Sequence, residues 1–292
     1  MTRRPRRGGC VAVLLILVLA AAAVIVVGPG LLNRYGDRLL SQSHCTVTLA
    51  GDAHTLTAEQ ANNAALISAR SIQRRLPARA ATIGIATAIQ ESSLRNINYG
   101  DRDSLGLFQQ RPSQGWGSEE QVMDPYYSTD KFYEVLVTVR HWRDLPITEA
   151  AQAVQRSAFP EAYGNREPEA RLWASALRGF SGPSAVTCKL GEARVGSVEE
   201  FVGRVAADFG DGLYQVEAQD ATGRYTAVTV TPLSGTTEDL HALAAWSIAV
   251  ASSLPVHSVT IDGEGWSRSS DEYQVPDGGP AGAVTVELRT QT

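Results

Sequence analysis

The longest apolar run of the chain, residues 11–27, lies near its N-terminus and follows four arginines. As a helix it would span about 26 Å, near the lower limit for the apolar core of a bilayer. Arginines before the run place the N-terminus in the cytoplasm and the residues that follow outside the cell. A cleaved signal peptide is the alternative interpretation. Both interpretations predict that residues after about 30 are exported.

Between residues 45 and 190 the apolar positions recur mainly at helical spacing. Thr57 and Gln60 have the spacing of a capping box, and the helix they begin should end at Pro77. Residues 79–93 are apolar and rich in small side chains, which favours a helix packed closely in a core. The remaining predicted elements of this part are a short strand at 46–49 and helices at 132–142, 148–158 and 168–178.

Residues 196–292 show a different pattern, in which helical and alternating stretches are mixed. The order helix, two strands, helix, two strands predicts a small α+β domain with one sheet and two helices. The predicted helices are 197–209 and 237–253, and the predicted strands are 213–218, 225–231, 256–261 and 283–288.

These patterns predict an α+β fold class with an N-terminal transmembrane helix, a mainly α-helical domain and a small α+β domain. The predicted divisions are a cytoplasmic tip and transmembrane anchor at 1–30, a juxtamembrane stem at 31–44, the helical domain at 45–190 and the α+β domain at 196–292. We therefore expect a single-pass protein of the cell membrane, anchored through residues 11–27, with its C-terminal part extracellular.

The net charge of the chain limits the kinds of molecule that it is expected to bind. The formal net charge of −5 argues against a general nucleic-acid binder, and no nucleic-acid partner is predicted. Acidic residues concentrate in the domain at 196–292, which should avoid anionic wall polymers. An interaction module for a protein partner, or a spacer, is the expected role of that domain.

The cysteines point to a structural bond and not to a metal site. Only 3 cysteines and 5 histidines are present, without HExxH or CxxC spacing, so no metal and no cofactor are predicted. Cys45 and Cys188 both fall on the oxidising side of the membrane, where such a pair tends to join. Their disulfide would close a long loop and contribute about 4–5 kcal/mol. Two buried free thiols are the alternative.

One carboxylate, that of Glu91, lies at the end of an otherwise apolar stretch of the sequence. Glu91 falls in the last turn of the apolar helix predicted at 79–93, and a loop rich in Asn, Asp and Gly follows it. A general acid for glycoside cleavage needs a raised pKa, which partial burial among apolar side chains supplies. The alternative is an exposed carboxylate at a helix end.

The residues around Glu91 carry a family resemblance. Glu91-Ser92, a variable loop and then Gly106-Leu107-Phe108-Gln109 resemble the motifs of the lysozyme-like lytic transglycosylases, with Phe108 in place of the usual Met. The stretch at 99–102, Tyr-Gly-Asp-Arg, is similar to goose-type lysozymes. The resemblance implies that 45–190 is a lysozyme-like domain and that peptidoglycan glycan strands are its partner.

The resemblance also implies roles for single residues. Glu91 would be the single acid and base that cleaves the bond between N-acetylmuramic acid and N-acetylglucosamine and forms 1,6-anhydro ends. Ser92 would shape the site through hydrogen bonds, Gly106 would allow close backbone approach, and Gln109 would bind the glycan.

Two later positions complete the resemblance. The family's Ala-Tyr-Asn motif has its nearest match at residues 153–155, where Gln155 would keep the amide role. A family tyrosine near the acid would correspond to Tyr163, for which an ordinary half-buried tyrosine is the alternative.

Two other functions stay open at the level of sequence. An inverting muramidase would need a second carboxylate about 6.5–9.5 Å from the acid, and Asp101, or else Asp103, is the candidate. Goose-type enzymes carry a further Asp where this chain has Arg111, which favours the transglycosylase. The other alternative is a catalytically inactive module that binds the wall or a partner. The aromatic side chains of Trp116, Tyr126 and Tyr127 are candidates for a glycan groove, with core packing as their alternative.

Overall fold

The computed structural model describes residues 43–157, 159–219, 223–268 and 280–290. Residues 43–292 belong to one structural unit. The predicted anchor at 1–30 and most of the predicted stem at 31–44 lie outside the described residues. The predicted boundary between 190 and 196 lies inside the unit and stays a prediction.

The described part of the chain contains helices and strands in mixed order. Its helices are α1 (Ala58–Gln73), α2 (Ala78–Ser92), α3 (Glu119–Met123), α4 (Pro125–Leu136), α5 (Ile147–Gln155), α6 (Glu167–Leu177), α7 (Val198–Phe209) and α8 (Thr237–Ala249). Two 3₁₀-helices lie at Pro112–Gln114 and Pro160–Arg166. Its strands are β1 (His44–Leu49), β2 (Asp52–Thr57), β3 (Val186–Lys189), β4 (Tyr214–Ala218), β5 (Tyr225–Pro232), β6 (Val256–Ile261), β7 (Glu264–Ser267) and β8 (Val284–Arg289).

The strands form two antiparallel sheets. The first has three strands in the order β2-β1-β3, and the second has five in the order β4-β5-β8-β6-β7. In the first sheet Cys45 of β1 lies opposite Cys188 of β3, and a disulfide joins them. The predicted disulfide is confirmed, and it ties the two ends of the segment that contains Glu91 to each other.

Helix α2 lies at the centre of the first part of the unit, and its small residues make that possible. Ala80, Ala86 and Ala88 are fully buried. A Cβ atom at Gly84 would lie 2.9 Å from the Ile67 side chain, so α1 and α2 approach as closely as a glycine allows. The closely packed helix expected at 79–93 is therefore confirmed, and it begins and ends one residue earlier.

The boundaries of α1 and α2 follow the residues that cap them. Thr57 and Gln60 form the predicted capping box at the start of α1. Pro77 is the N-cap of α2, and Ser93 in the left-handed region ends it. The end of α2 thereby places Glu91 in its last turn, directly before the loop of residues 93–111.

Within the unit, the residues after 196 pack on residues 43–190 through α7 and α8. Asp208 of α7 is fully buried and accepts hydrogen bonds from Tyr126 of α4 and Trp246 of α8, both at 2.7 Å. Arg204 donates to the same carboxylate at 2.7 Å. Arg70 of α1 donates to the carbonyl of Ala207 at 2.8 Å.

The predicted fold class is wrong in its transmembrane helix. No helix among the described residues is long and apolar enough to cross a membrane. The longest of those eight, α1, has 16 residues, includes Glu59 and Arg70, and would span about 24 Å. Residues 11–27, on which that prediction fell, lie outside the described residues. The finding is an α+β fold of eight helices and two antiparallel sheets in the described part.

Three strands have no counterpart among the predicted elements, namely β2, β3 and β7. Each has only four to six residues. Residues 45–190 therefore combine their helices with a three-stranded sheet. The predicted helix at 132–142 is also displaced, because α4 begins at Pro125 and ends at Leu136.

Candidate active site

Glu91 is held by two side chains that come from different elements. Tyr163, in the 3₁₀-helix at Pro160–Arg166, donates its hydroxyl to Oε1 of Glu91 at 2.5 Å. Gln155, the last residue of α5, donates its amide to the same oxygen at 3.2 Å. Oε2 accepts no hydrogen bond from the residues that the structure describes. One carboxylate oxygen is thus anchored by the protein, and the other is left for a different partner.

The surroundings of Glu91 favour its protonated form. Burial raises the pKa of Glu91 above its ordinary value, although the hydrogen bonds from Tyr163 and Gln155 oppose that shift. Both donors are uncharged, so no cation faces this carboxylate through a hydrogen bond. A carboxyl group with a raised pKa is suited to donate a proton and then to take one back.

Tyr163 is fully buried and stays a proton donor. Burial raises its pKa above the ordinary value, and the neighbouring charge of Glu91 raises it further. Its 3₁₀-helix is tied to α2, because Nε of Arg166 donates to Oε1 of Gln90 at 3.1 Å. The contact of Arg166 with Gln90, the residue before Glu91 in α2, therefore helps to hold the Tyr163 hydroxyl at Glu91.

Gln155 connects Glu91 to the loop that follows α2. Its Nε2 donates to the carbonyl of Phe108 at 2.8 Å as well as to Glu91. Because a carbonyl oxygen only accepts, this contact fixes which end of the amide faces the site. The amide role predicted for Gln155 thus has a geometric counterpart.

Ser92 joins the end of α2 to the same loop. Its hydroxyl donates to the carbonyl of Leu107 at 2.7 Å, and the backbone N–H of Arg95 donates to the hydroxyl at 3.2 Å. Ser92 and Leu107 are both buried. These contacts agree with the site-shaping role that the resemblance implies for Ser92.

Gly106 meets its neighbours through the backbone. Its φ is +78°, and a Cβ atom there would lie 2.1 Å from the carbonyl oxygen of Val122. Any other residue would collide with α3, so the loop can turn here only with glycine. Close backbone approach, as predicted for Gly106, is what the structure has, although the neighbour is the protein itself.

The side chain of Gln109 is hydrogen-bonded within the loop of residues 93–111. Its amide donates to the carbonyl of Tyr99 at 3.2 Å and to that of Gly106 at 3.3 Å. A Cβ atom at Gly100 would lie 1.9 Å from Oε1 of Gln109, so the two are in tight contact. The side chain is half-buried, and its glycan-binding role stays a prediction.

The carboxylates proposed for an inverting hydrolase have partners of their own in the loop of residues 93–111 and just after it. The side chain of Asp101 is 89% exposed, and its ion-pair partner is the adjacent Arg102 at 3.9 Å. Asp103 accepts from Nε of Arg111 and from the backbone of Ser113, both at 2.8 Å. Hydrogen bonds from Ser113 and Arg111 lower the pKa of Asp103, so it serves as a fixed anion of the loop.

The aromatic residues proposed for a glycan groove have inward contacts. Tyr126 donates to the buried Asp208, and Tyr127 donates to the carbonyl of Trp116 at 3.1 Å. Core packing, the alternative, describes Tyr126. Two exposed aromatic side chains lie in the loops that supply contacts of this site, Tyr99 at 67% and Phe159 at 74% exposure. Hydrophobic periodicity has no means to identify them, because both lie in loops.

A cavity of about 830 Å³ lies at the other end of α2. Its lining includes Arg79, His54 and Phe180 and none of the predicted site residues. His54 pairs with Glu169 at 2.8 Å and accepts a hydrogen bond from Trp173 at 3.0 Å. This cavity is therefore separate from the Glu91 contacts.

No protein-family description matches the chain, and no curated protein matches it. The resemblance to lysozyme-like lytic transglycosylases therefore stays a prediction that rests on the motifs around Glu91.

Proposed function

We propose that this protein cleaves the bond between N-acetylmuramic acid and N-acetylglucosamine in peptidoglycan and forms 1,6-anhydro ends. The observation that carries the proposal is the state of Glu91, a half-buried carboxylate with a raised pKa and one oxygen anchored by uncharged donors. Its position as the Glu of the first motif of the resemblance adds to this support.

In the first step Glu91 acts as the acid. Oε1 stays bound to Tyr163 and Gln155, and Oε2 carries the proton to the glycosidic oxygen. The bond from that oxygen to C1 of the muramic acid breaks, and the sugar's own N-acetyl group stabilises the charge that develops at C1.

In the second step Glu91, now ionised, acts as the base. It takes the proton of the 6-hydroxyl of the same sugar, and that oxygen forms the bond to C1. No water is consumed, and Glu91 returns to its protonated form. The hydrogen bonds from Tyr163 and Gln155 stabilise the carboxylate between the two steps.

A single acid and base agrees with the chemistry around Glu91. Its two hydrogen-bond partners in the described residues are a phenol and an amide, and neither activates water as a carboxylate does. Asp101 has its ion-pair contact with Arg102 instead. The preference for the transglycosylase over an inverting muramidase rests on Arg111, which stands where goose-type enzymes carry a further Asp.

Two further proposals concern the setting of this reaction. The disulfide between Cys45 and Cys188 supports an exported location, because such bonds form and persist in oxidising compartments. The acidic part after residue 196 would bind a protein partner and not the anionic polymers of the wall.

The test is mass spectrometry of the products from purified peptidoglycan incubated with the full-length chain. We expect 1,6-anhydromuramic ends from the wild type, and a loss of about 10²–10⁴-fold in Glu91→Gln. Glu134→Gln is the matched control, because Glu134 is exposed and lies on α4.

The other outcomes separate the alternatives. Reducing ends that depend on Glu91 would mean hydrolysis, and Asp101→Asn would then be the next variant. Equal cleavage by the wild type and Glu91→Gln would contradict the role of Glu91. Wall binding without any cleavage by the folded wild type would identify a non-catalytic module.

A further inference from the structure

Two exposed aromatic side chains lie on the two loops that border Glu91. Tyr99 is 67% exposed and belongs to the loop of residues 93–111, and Phe159 is 74% exposed and lies between Gln155 and Tyr163. Phe180 is the third aromatic residue of this kind in the described part of the chain. Single exposed apolar residues are common, so the position of these two matters more than their exposure alone.

Phe159 lies along the chain between the two residues that bind Glu91. It is four residues from Gln155 and four from Tyr163, both of which donate to Oε1 of Glu91. Its backbone is held in place, because its N–H donates to Oγ of Ser157 at 3.1 Å and its carbonyl accepts from Ala162 at 3.2 Å. The exposed ring is therefore presented by a backbone with contacts on both sides.

Tyr99 is connected to the site through Gln109. The amide of Gln109 donates to the carbonyl of Tyr99, and Gly100 packs directly on the Gln109 side chain. The neighbouring Phe108 carbonyl accepts the amide of Gln155, which in turn contacts Glu91. Two hydrogen-bonding side chains thus separate the backbone of Tyr99 from the Glu91 carboxylate.

The chemistry of the two rings indicates what they would bind. Burying an aromatic side chain stabilises a fold, and neither of these two rings contributes that stabilisation. A flat apolar ring on a wet surface suits a ligand that has one apolar face and polar edges. A pyranose ring has that shape, since its axial C–H groups form a face and its hydroxyl and amide groups lie at the rim.

We propose that Phe159 and Tyr99 are the sugar-stacking residues of this site, each binding the C–H face of a β-1,4-linked N-acetylated amino sugar beside Glu91. The inference rests on the proposed function and identifies the residues that hold its substrate. Tyr126 does not share that role, because its hydroxyl donates to the buried Asp208. Neither ring takes part in proton transfer.

The experiment measures binding and cleavage separately in the full-length chain. In a Glu91→Gln background, calorimetry gives the Kd for chitohexaose, a soluble β-1,4-linked N-acetylglucosamine oligomer. We expect Phe159→Ala and Tyr99→Ala each to weaken binding by about three- to tenfold. Phe159→Tyr and Tyr99→Phe keep an aromatic face and should bind within about twofold of the parent.

Phe180→Ala is the matched control, because Phe180 is 60% exposed but lines the cavity at the other end of α2. It should leave the Kd unchanged. With Glu91 restored, Phe159→Ala should raise KM for peptidoglycan fragments more than it lowers kcat, which loss of a proton-transfer group would not do.

Failure of this inference is distinguishable from failure of the proposed function. Unchanged Kd values in both alanine variants, or no binding of chitohexaose by the parent, would overturn the stacking role. Glu91-dependent 1,6-anhydro products from the wild type would still support the proposed function in that case. Absence of those products, with binding that depends on Phe159 and Tyr99, would overturn the cleavage and keep the sugar site.

Discussion

Two buried carboxylates of this protein differ in what surrounds them. Asp208 is fully buried and accepts hydrogen bonds from a tyrosine, a tryptophan and an arginine, with the arginine supplying the opposite charge. Glu91 is half-buried, and the donors that reach it from the described residues, Tyr163 and Gln155, are both uncharged. Asp208 lies where α7 meets α4 and α8, whereas Glu91 lies at a helix end beside two loops.

The difference shows how similar side chains serve stability in one place and chemistry in another. A buried carboxylate with a cation and hydrogen bonds to both oxygens is part of the packing, and losing a partner is costly. A buried carboxylate without a cation is easier to protonate, and its proton is available for transfer. Keeping the Glu91 carboxylate partly out of water raises its pKa, and that raised pKa is the physical basis of its proposed role.

The largest expected contrast is in stability. Asp208→Asn turns an amide N–H toward the Trp246 donor and leaves Arg204 without its counter-ion, so it should cost about 3–5 kcal/mol. Glu91→Gln keeps the acceptor oxygen for Tyr163 and Gln155 and should cost nothing at neutral pH. The free energy of unfolding of both variants in urea measures the contrast.

The pH dependence sharpens that contrast. Because folding raises the pKa of Glu91, its contribution to stability is present below the pKa of the unfolded chain and is lost as pH rises through the folded pKa. Glu91→Gln should therefore gain stability relative to the wild type as pH rises through that range. A wild type that is more stable than Glu91→Gln at neutral pH would contradict the raised pKa assigned to Glu91.

A smaller effect is expected from Tyr163→Phe, which removes one anchor of Oε1. The lost hydrogen bond favours the ionised carboxylate, so its removal should raise the pKa of Glu91 further. The limb of the kcat/KM profile that falls as Glu91 loses its proton should move to higher pH. Cleavage of peptidoglycan across a pH series measures this, with Tyr127→Phe as the control. A limb that moved to lower pH would contradict the contact as described.

The smallest effect is expected from Arg166→Met. Arg166 is a positioning residue, because it binds Gln90 and holds the 3₁₀-helix that carries Tyr163. Its side chain is 43% exposed, so the contact is worth about 0.5–1 kcal/mol and kcat should fall about two- to fivefold. KM should stay unchanged and the free energy of unfolding in urea should fall by no more than that amount, and Arg171→Met on the exposed side of α6 is the control. A fall in stability with unchanged kcat would mean a structural role only.

Prediction from sequence succeeded where the cause was local. The capping box at Thr57 and Gln60 needs only neighbouring residues, and the small side chains of α2 indicate a buried helix without any knowledge of its neighbours. The family resemblance implied roles for Gln155 and Tyr163, and both contact Glu91. Their catalytic and binding roles stay predictions.

Prediction failed where the cause was distant in sequence. Strand β3 has four residues and exists because β1, more than a hundred residues earlier, pairs with it. As an aromatic residue, Tyr126 was a candidate for a glycan groove. Its hydroxyl instead donates to Asp208 where α4 contacts α7. No pattern within either segment contains that information.

The amino-acid sequence by itself determined helices α1 and α2, the position of Glu91 at a helix end and the two cysteines able to join. These features depend on caps, periodicity and residue type, which act over a few positions. Only the tertiary structure decided which side chains meet Glu91, which carboxylate receives an arginine and which aromatic rings stay in water. Those outcomes depend on contacts between segments that folding brings together, and burial, which sets the pKa of Glu91, exists only once they have met.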